Sequence, residues 1–207
     1  MFKSFFLTTF LTLALFACSS GATLGTGEPA PDFAGVDTQG KTQRLSDYKG
    51  KIVVLEWTNH DCPYVRKHYN SGNMQDQQRE AAAQGVVWLS VISSAPGKQG
   101  HVSAAEADEL SQSRKAQPHA VILDPEGKIG RAYGAKTTPH MYVIDATGRL
   151  VYMGGIDDIA TADADDIPGA TQYVRQALQE LNAGDSVSTP VTRPYGCSVK
   201  YSGPSRL

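Results

Sequence analysis

Cysteine is scarce in this chain: Cys18, Cys62 and Cys197 are the only three among 207 residues. The sequence also lacks a basic run, and its formal net charge of -2 argues against a nucleic-acid-binding surface. A glycine-rich phosphate loop, a fixed-period repeat and a low-complexity tract are all missing. The five histidines are scattered and show no metal-site spacing with the cysteines, so we predict no cofactor and no bound metal.

The chain is also too short for two full domains. With 41% hydrophobic residues it can bury one core of ordinary size. We predict one domain over residues 27–184, followed by a C-terminal extension over residues 185–207 that carries Cys197. Turn residues and paired tyrosines in the extension indicate an ordered segment packed on the domain.

Residues 1–22 are predicted to be a signal peptide. They begin with a positive charge, and the apolar stretch 5–17 that follows is short for a membrane span. The segment ending at Cys18 resembles a bacterial lipoprotein signal, in which this cysteine receives lipid. Ordinary cleavage after Ala22 is the alternative. Both interpretations predict export to the bacterial cell envelope, with a periplasmic location and, in the first case, a lipid anchor to the membrane.

The central feature of the sequence is a strand followed by a cysteine and a helix. Residues 52–57 are an apolar, β-branched run that predicts a buried strand. Pro63 suits the first turn of a helix, and Cys62 lies directly before it. A thiol at a helix N-terminus faces unpaired N–H groups and the positive end of the helix dipole, which favour the thiolate. Because the thiolate is the reactive form, this arrangement predicts a nucleophile.

The remaining elements alternate between strands and helices. Strands are predicted at 33–36, 42–45, 86–92, 120–123, 141–145 and 150–153. Helices are predicted at 63–84 with a break near 71–73, at 103–115, at 129–133 as a short turn, and at 167–181. This order predicts a central mixed sheet flanked by helices.

Three segments carry a resemblance to a known family. Trp57 and the run Cys62-Pro-Tyr-Val-Arg resemble the active-site turn of thioredoxin-fold proteins, with Val65 in place of the second cysteine of Cys-x-x-Cys. Residues 27–33 and 45–51, which lead into the central strand, resemble the opening of the redoxin branch, which contains alkyl hydroperoxide reductases and thiol-specific antioxidant proteins. Residues 133–145 resemble its proline loop. The resemblance implies a thioredoxin-like three-layer α/β sandwich with an N-terminal hairpin and a C-terminal extension, in a single-cysteine variant.

The same resemblance implies roles for the proline loop and for a threonine near the nucleophile. Pro139 is expected to be a cis-proline facing Cys62, with the backbone of Thr138 pairing with an extended substrate. A trans proline at a strand start is the alternative. Thr58 is a candidate donor to a peroxide oxygen, although the peroxiredoxin motif Pro-x-x-x-Thr-x-x-Cys is not met, because Asn59 occupies the threonine position.

Charged residues near Cys62 predict opposing effects. Asp61 favours the protonated thiol, whereas Arg66 and Lys67 favour the thiolate if their side chains reach it. A solvated helix face is the alternative for both cations. The acidic run 157–166 is predicted to be a solvated linker.

Two cysteines remain in the mature domain, and they leave two interpretations open. An even pair in an oxidising compartment is by default a structural disulfide. In the functional interpretation, Cys62 attacks a peroxide or a protein disulfide, Cys197 resolves the product, and a thiol reductant protein or a small thiol reopens the bond. The sequence thus predicts a thiol-disulfide oxidoreductase or peroxiredoxin-like antioxidant. A non-catalytic binding or metal-delivery module is the alternative.

Overall fold

The computed structural model describes residues 24–203. The predicted signal peptide, including lipidation of Cys18 and cleavage after Ala22, lies outside the described residues, and so do residues 204–207. Within the described range, no helix combines the length and the apolar character that a membrane crossing requires.

A seven-stranded mixed sheet forms the centre of the fold, in the order β2-β1-β5-β4-β3-β7-β8. Strands β3, β4 and β5 are parallel, and the other pairs in the sheet are antiparallel. A separate two-stranded pair joins β6 to β9. The strands are β1 Ala34–Asp37, β2 Thr42–Arg44, β3 Val53–Trp57, β4 Val87–Ile92, β5 Ala120–Leu123, β6 Thr137–Thr138, β7 His140–Ile144, β8 Leu150–Gly154 and β9 Cys197–Ser198.

Helices cover the sheet. They are α1 Pro63–Asn70, α2 Asn73–Ala83, α3 Ala104–Ser113, α4 Lys128–Ala132 and α5 Tyr173–Ala183, with two 3₁₀ turns at Leu45–Tyr48 and Ala164–Gly169. The architecture confirms the predicted thioredoxin-like α/β sandwich with its N-terminal hairpin.

The core lies on both faces of β3, whose five residues are all buried. Leu55 and Trp57 pack on one face with Tyr142, while Val54 packs on the other with Val65 of α1. Because successive side chains of a strand point to opposite faces, one continuous apolar run supplies both core layers. Burying each aliphatic side chain contributes roughly 1.5–3 kcal/mol to the free energy of folding. Strand β3 is therefore firmly packed and fixes the position at which the following loop begins.

The predicted break in the first long helix is confirmed. Gly72 has a φ of +82° and separates α1 from α2, since a left-handed residue cannot continue a helix. The helix predicted over 103–115 is also present, and Ser103 caps it through a capping box with Glu106. The predicted start of the last helix at residue 167 is wrong: Pro168 lies in a 3₁₀ turn, and α5 begins at Tyr173.

Over its described residues, the C-terminal extension crosses the sheet edge as a strap. We call residues 185–203 the strap. Backbone hydrogen bonds attach the strap to the domain, from Thr192 N to Met153 O (3.1 Å) and from Val199 N to Lys136 O (2.9 Å). A third bond joins Ala95 N to the strap carbonyl at residue 200, over 2.8 Å. The prediction of a packed, ordered extension is confirmed for the described residues.

Candidate active site

Cys62 is the N-cap residue of α1, and Pro63 follows as the first helical residue. A tight turn after β3 delivers it there: Cys62 N donates to Asn59 O over 3.1 Å, and Asp61 N donates to Asn59 Oδ1 over 2.9 Å. The carbonyl of Cys62 accepts the first helical bond from Arg66 N at 2.9 Å. The predicted position of the thiol at a helix start is therefore confirmed.

Three groups meet at the Cys62 sulfur. Its Sγ lies 3.0 Å from the carbonyl oxygen of Thr138 and 3.4 Å from the backbone N of Cys197. The Cys197 thiol also hydrogen-bonds to it. Both cysteines are free thiols, Cys62 with an exposed fraction of 0% and Cys197 half-buried. The structure thus brings the two sulfurs together, and the strap covers the first of them.

The two thiols differ in acidity. Burial raises the pKa of Cys62, but hydrogen bonds from the thiol and the N–H of Cys197, from the N–H of Val65 and from the Thr138 hydroxyl together outweigh burial, so its pKa falls below the usual range. The Thr138 carbonyl opposes this, because it accepts the proton of the neutral thiol. Burial, followed by the hydrogen bond to Cys62, raises the pKa of Cys197 to about 11. Of the two thiols, Cys62 therefore has the lower pKa, and Cys197 has the higher one.

Arg66 points away from the sulfur. Its Nε donates to His60 O over 3.1 Å, its Nη2 lies 3.1 Å from Asp61 Oδ1, and 53% of its side chain is exposed. Of the two interpretations of Arg66, the structure supports the solvated helix face. Asp61 is paired with this cation, so its charge is directed to solvent and not to the thiol.

Thr58 does not reach Cys62. Its hydroxyl is buried and makes no hydrogen bond within residues 24–203. It lines a separate cavity of about 40 Å³ together with Ser90 and Arg114. The geometry that would let Thr58 assist a peroxide bound at Cys62 is therefore not present.

The proline loop adopts the predicted geometry, since the Thr138–Pro139 peptide bond is cis. Thr138 pairs with Cys197 in the β6–β9 ladder, and its Oγ1 donates to Cys197 O over 3.4 Å. The strap therefore occupies the backbone edge at which an extended substrate is expected. His140, on the other side of the proline, is buried and bonded to Tyr142 and to Lys136 N, facing the core.

A buried polar cluster beside the site was not expected from the sequence. Lys67 and Asp157 are both fully buried and lie 3.6 Å apart (Nζ to Oδ2). The structure therefore excludes the solvated alternative for Lys67, and the prediction of a solvated Asp157 is wrong. His68 and Tyr195 complete the cluster. Its members come from α1, the loop after β8 and the strap, about 40 to 130 residues apart. No local pattern in the sequence marks such a contact.

A cleft of about 510 Å³ lies beside the strap. Tyr64 and Thr137 contribute one side, and Asp158, Tyr173 and Arg193 line other parts of it. It provides an approach to the region where α1, β6 and the strap meet. Over residues 24–203, no group of three histidine, cysteine or acidic side chains is arranged to hold a metal ion.

This sheet, its proline loop and a cysteine at the start of α1 define a thioredoxin-like redoxin. Comparison with known families matches residues 26–153, more than half of the chain, to the AhpC/TSA family. The chain belongs to the AhpC/TSA family.

Individual proteins show more distant similarity. The chain is 26% identical over 131 residues to the thiol-disulfide oxidoreductase ResA of Geobacillus thermodenitrificans, covering 60% of this chain and 66% of that one. It thus spans just under two thirds of the length of this curated relative.

Two solved structures show how far the fold is shared. An uncharacterized conserved protein from Geobacillus kaustophilus superimposes with a TM-score of 0.75 at 22% identity, covering 88% and 95% of the two chains, which shows the fold alone. A putative thiol:disulfide interchange protein DsbE from Chlorobium tepidum has a TM-score of 0.51 at 27% identity, covering 63% and 85%.

Proposed function

We propose that this chain is an exported thiol-dependent oxidoreductase that reduces disulfide substrates through Cys62, with Cys197 as the resolving thiol. The observation that carries the proposal is that Cys197 lies against Cys62, with its backbone N 3.4 Å from Cys62 Sγ, and that the pKa values of the two thiols are shifted in opposite directions. The attacking thiol needs the lower pKa, because the thiolate is the reactive form, and the resolving thiol, which stays protonated until the mixed disulfide has formed, needs the higher one. The relatives named as thiol-disulfide oxidoreductases support the same chemistry.

The cycle balances with two thiols and one disulfide. The Cys62 thiolate attacks one sulfur of the substrate disulfide, forms a mixed disulfide, and releases the other sulfur as a thiolate. Loss of the charge on Cys62 removes one cause of the raised pKa of Cys197. Cys197 then gives up its proton, attacks Cys62 Sγ, and releases the second substrate thiolate. A dithiol protein or a small thiol reduces the resulting Cys62–Cys197 bond and restores both thiols.

Peroxide is the second substrate class that the family relationship brings to this chain. Attack of the Cys62 thiolate on the O–O bond forms a sulfenic acid and releases an alcohol or water. Cys197 then displaces hydroxide, which takes a proton and leaves as water. The absence of a contact between Thr58 and Cys62 makes the disulfide substrate the better supported of the two.

The strap controls access in either case. Cys62 has no exposed surface while β9 is paired with β6, so a substrate reaches the sulfur only when the strap moves. We therefore assign residues 27–184 as the catalytic domain and residues 185–207 as an extension that serves it.

Export is proposed from residues 1–22, with Cys18 as the lipid attachment point. The experiment is metabolic labelling with a radioactive fatty acid in a bacterial host, comparing the wild type with Cys18→Ala. Label in the wild type alone supports the anchor, and an unlabelled, periplasmic wild type identifies simple cleavage instead.

The activity is tested by comparing the wild type with Cys62→Ser and Cys197→Ser. Each is supplied with a thiol reductant and either a small disulfide or hydrogen peroxide. We expect disulfide turnover by the wild type, none by Cys62→Ser, and an accumulated mixed disulfide in Cys197→Ser. Equal inactivity of all three proteins with both substrates refutes the proposal and leaves a binding module with a structural cysteine pair.

A further inference from the structure

The side chain of Tyr195 ties the strap to the helix that carries Cys62. Its hydroxyl reaches His68 Nε2 at 3.1 Å and bonds to Asp157 Oδ1. Its ring packs edge-on against Tyr64, with centroids 5.7 Å apart. Two of these three partners, His68 and Tyr64, belong to α1, whose N-cap is Cys62. Tyr195 is also only two residues before Cys197.

The direction of every hydrogen bond in this cluster follows from its donors. Asn73 Nδ2 can only donate, so His68 Nδ1 accepts at 2.8 Å, and Nε2 must carry the proton of the neutral ring. His68 then donates to the Tyr195 oxygen, which leaves the tyrosine proton for Asp157. Burial, together with the charge of Lys67, lowers the pKa of His68 to about 3, which keeps the ring neutral. The hydroxyl of Tyr195 therefore has both a defined donor and a defined acceptor.

The acceptor is itself held in place by charge. Asp157 Oδ2 lies 3.6 Å from Lys67 Nζ, and the same ammonium donates to Ile159 O at 3.0 Å. Since Lys67 is also on α1, the carboxylate is fixed relative to the helix. A buried hydrogen-bond network of this kind has few alternative arrangements, because each displaced member leaves an unpaired polar group.

We propose that Tyr195 is the positioning residue for the resolving step, holding the strap so that Cys197 stays in register with Cys62. The inference rests on the proposed function, because resolution requires a reactive Cys62. If the strap moved freely, the effective concentration of the Cys197 thiol at the mixed disulfide would fall. Anchoring the strap at Tyr195, two residues before Cys197, raises that effective concentration without adding a contact to the sulfur.

A matched contact at the other end of the strap provides a control. Tyr201 donates its hydroxyl to Ala135 O at 2.8 Å and stacks under Arg131, with 4.6 Å between the guanidinium carbon and the ring centroid. It anchors the strap beside α4 and makes no hydrogen bond to α1 among the described residues. Tyr195→Phe and Tyr201→Phe each remove one hydroxyl from the strap, so they separate anchoring at α1 from anchoring in general.

The experiment uses the reduced, full-length protein and a chromogenic aryl disulfide, dithionitrobenzoate. Attack by Cys62 releases one coloured thiolate in a first phase. Attack by Cys197 on the mixed disulfide releases a second thiolate in a unimolecular second phase. Cys197→Ala should show the first phase alone, which assigns the two steps.

We expect Tyr195→Phe to slow the second phase about tenfold or more, the size that follows from losing a hydrogen bond to a charged group. The first phase should be as fast as in the wild type or faster, because a looser strap exposes Cys62. Tyr201→Phe should change the second phase by less than about threefold. Tyr64→Leu, at a partly exposed position, should slow the second phase by a smaller factor than Tyr195→Phe.

Circular dichroism and thermal unfolding establish that each variant is folded. A folded Tyr195→Phe and a folded Tyr64→Leu that both resolve at the wild-type rate overturn the proposal. If Tyr195→Phe does not fold, Tyr64→Leu decides alone. If the wild type shows no first phase that depends on Cys62, the proposed function is refuted, and this inference with it. If the wild type shows both phases and Tyr195→Phe leaves the second-phase rate unchanged, only the inference is refuted.

Discussion

Cys62 is held between groups that act on its proton in opposite directions. The Thr138 carbonyl, 3.0 Å away, accepts the proton of a thiol, and burial also disfavours the charged form. The N–H and the thiol of Cys197, with the N–H of Val65 and the Thr138 hydroxyl, favour the thiolate and outweigh burial, so the pKa of Cys62 is lowered. The start of α1 adds the positive end of a helix dipole. The partner cysteine is therefore one of the groups that lower the pKa of Cys62.

The first prediction concerns this acidity. The thiolate of Cys62 should appear at a lower pH than that of an ordinary cysteine, because its pKa is lowered in the folded state. Replacement of Cys197 by alanine removes the thiol donor, so the titration should move to higher pH. Ultraviolet absorbance of the thiolate during a pH titration measures both, and Cys62→Ser supplies the baseline. An unchanged midpoint in Cys197→Ala would contradict the role given to the second thiol.

The second prediction concerns two buried histidines. Burial lowers the pKa of both His68 and His140 to about 3, so each ring stays neutral in the folded protein well below its ordinary titration range near 6.5. As the pH falls below ~6.5, the unfolded chain binds a proton at each histidine, whereas the folded protein does not until about pH 3. The stability that the two neutral, buried rings contribute is therefore complete above pH ~6.5 and is lost as the pH falls towards ~3.

Nuclear magnetic resonance of the ring protons provides the measurement. Neither His68 nor His140 should titrate between pH 7 and pH 5, and the free energy of unfolding from denaturant titrations should be lower at pH 5 than at pH 7. A midpoint near 6.5 for either ring in the folded protein would show that the ring is not buried as described.

Among the elements of the fold, the strap brings several groups to the candidate site. It supplies Cys197, pairs with β6, and inserts Tyr195 beside α1. Gly196 allows the close approach, because it has a φ of +121° and a Cβ at this position would collide with the Thr138 carbonyl. The strap thus fits the edge of β6 only with glycine before the cysteine.

The third prediction uses that glycine. Gly196→Ala should push the strap away from β6, since both the backbone conformation and the collision oppose the larger residue. Cys62 should then react faster with iodoacetamide, by about tenfold, because its cover is loosened. Gly169→Ala is the control, at a glycine where a Cβ meets nothing within 4 Å. Equal labelling of the wild type and both variants would show that the strap does not guard the thiol.

Elements set by local chemistry were predictable, and those set by distant contacts were not. The apolar run of β3, the proline at the start of α1 and the helix predicted over 103–115 all follow from neighbouring residues. The start of α5 was placed too early, because a 3₁₀ turn around Pro168 precedes it. The pairing of β9 with β6 joins segments about 60 residues apart, and no periodicity in either segment indicates it.

For the molecule as a whole, the candidate site forms where the core strand, the proline loop and the strap converge. The sequence was sufficient to predict the sheet, the position of Cys62 at the start of α1 and the cis proline, since each follows from a local pattern or from the family resemblance. It missed that Lys67 and Asp157 are buried together, because charged residues are seldom buried without a partner that only the fold reveals. It also left open whether the two cysteines meet, which the structure answers by placing them in contact.

A single-turnover experiment shows whether Cys62 attacks a disulfide substrate and whether Cys197 resolves the product. The reduced protein is mixed with one equivalent of a disulfide substrate, quenched with an alkylating reagent, and mapped by peptide mass spectrometry. We expect a Cys62–Cys197 disulfide in the wild type and a substrate adduct on Cys62 in Cys197→Ser. The proposed cycle is contradicted if Cys62 is recovered alkylated without either product, while the substrate is consumed at another residue or not at all.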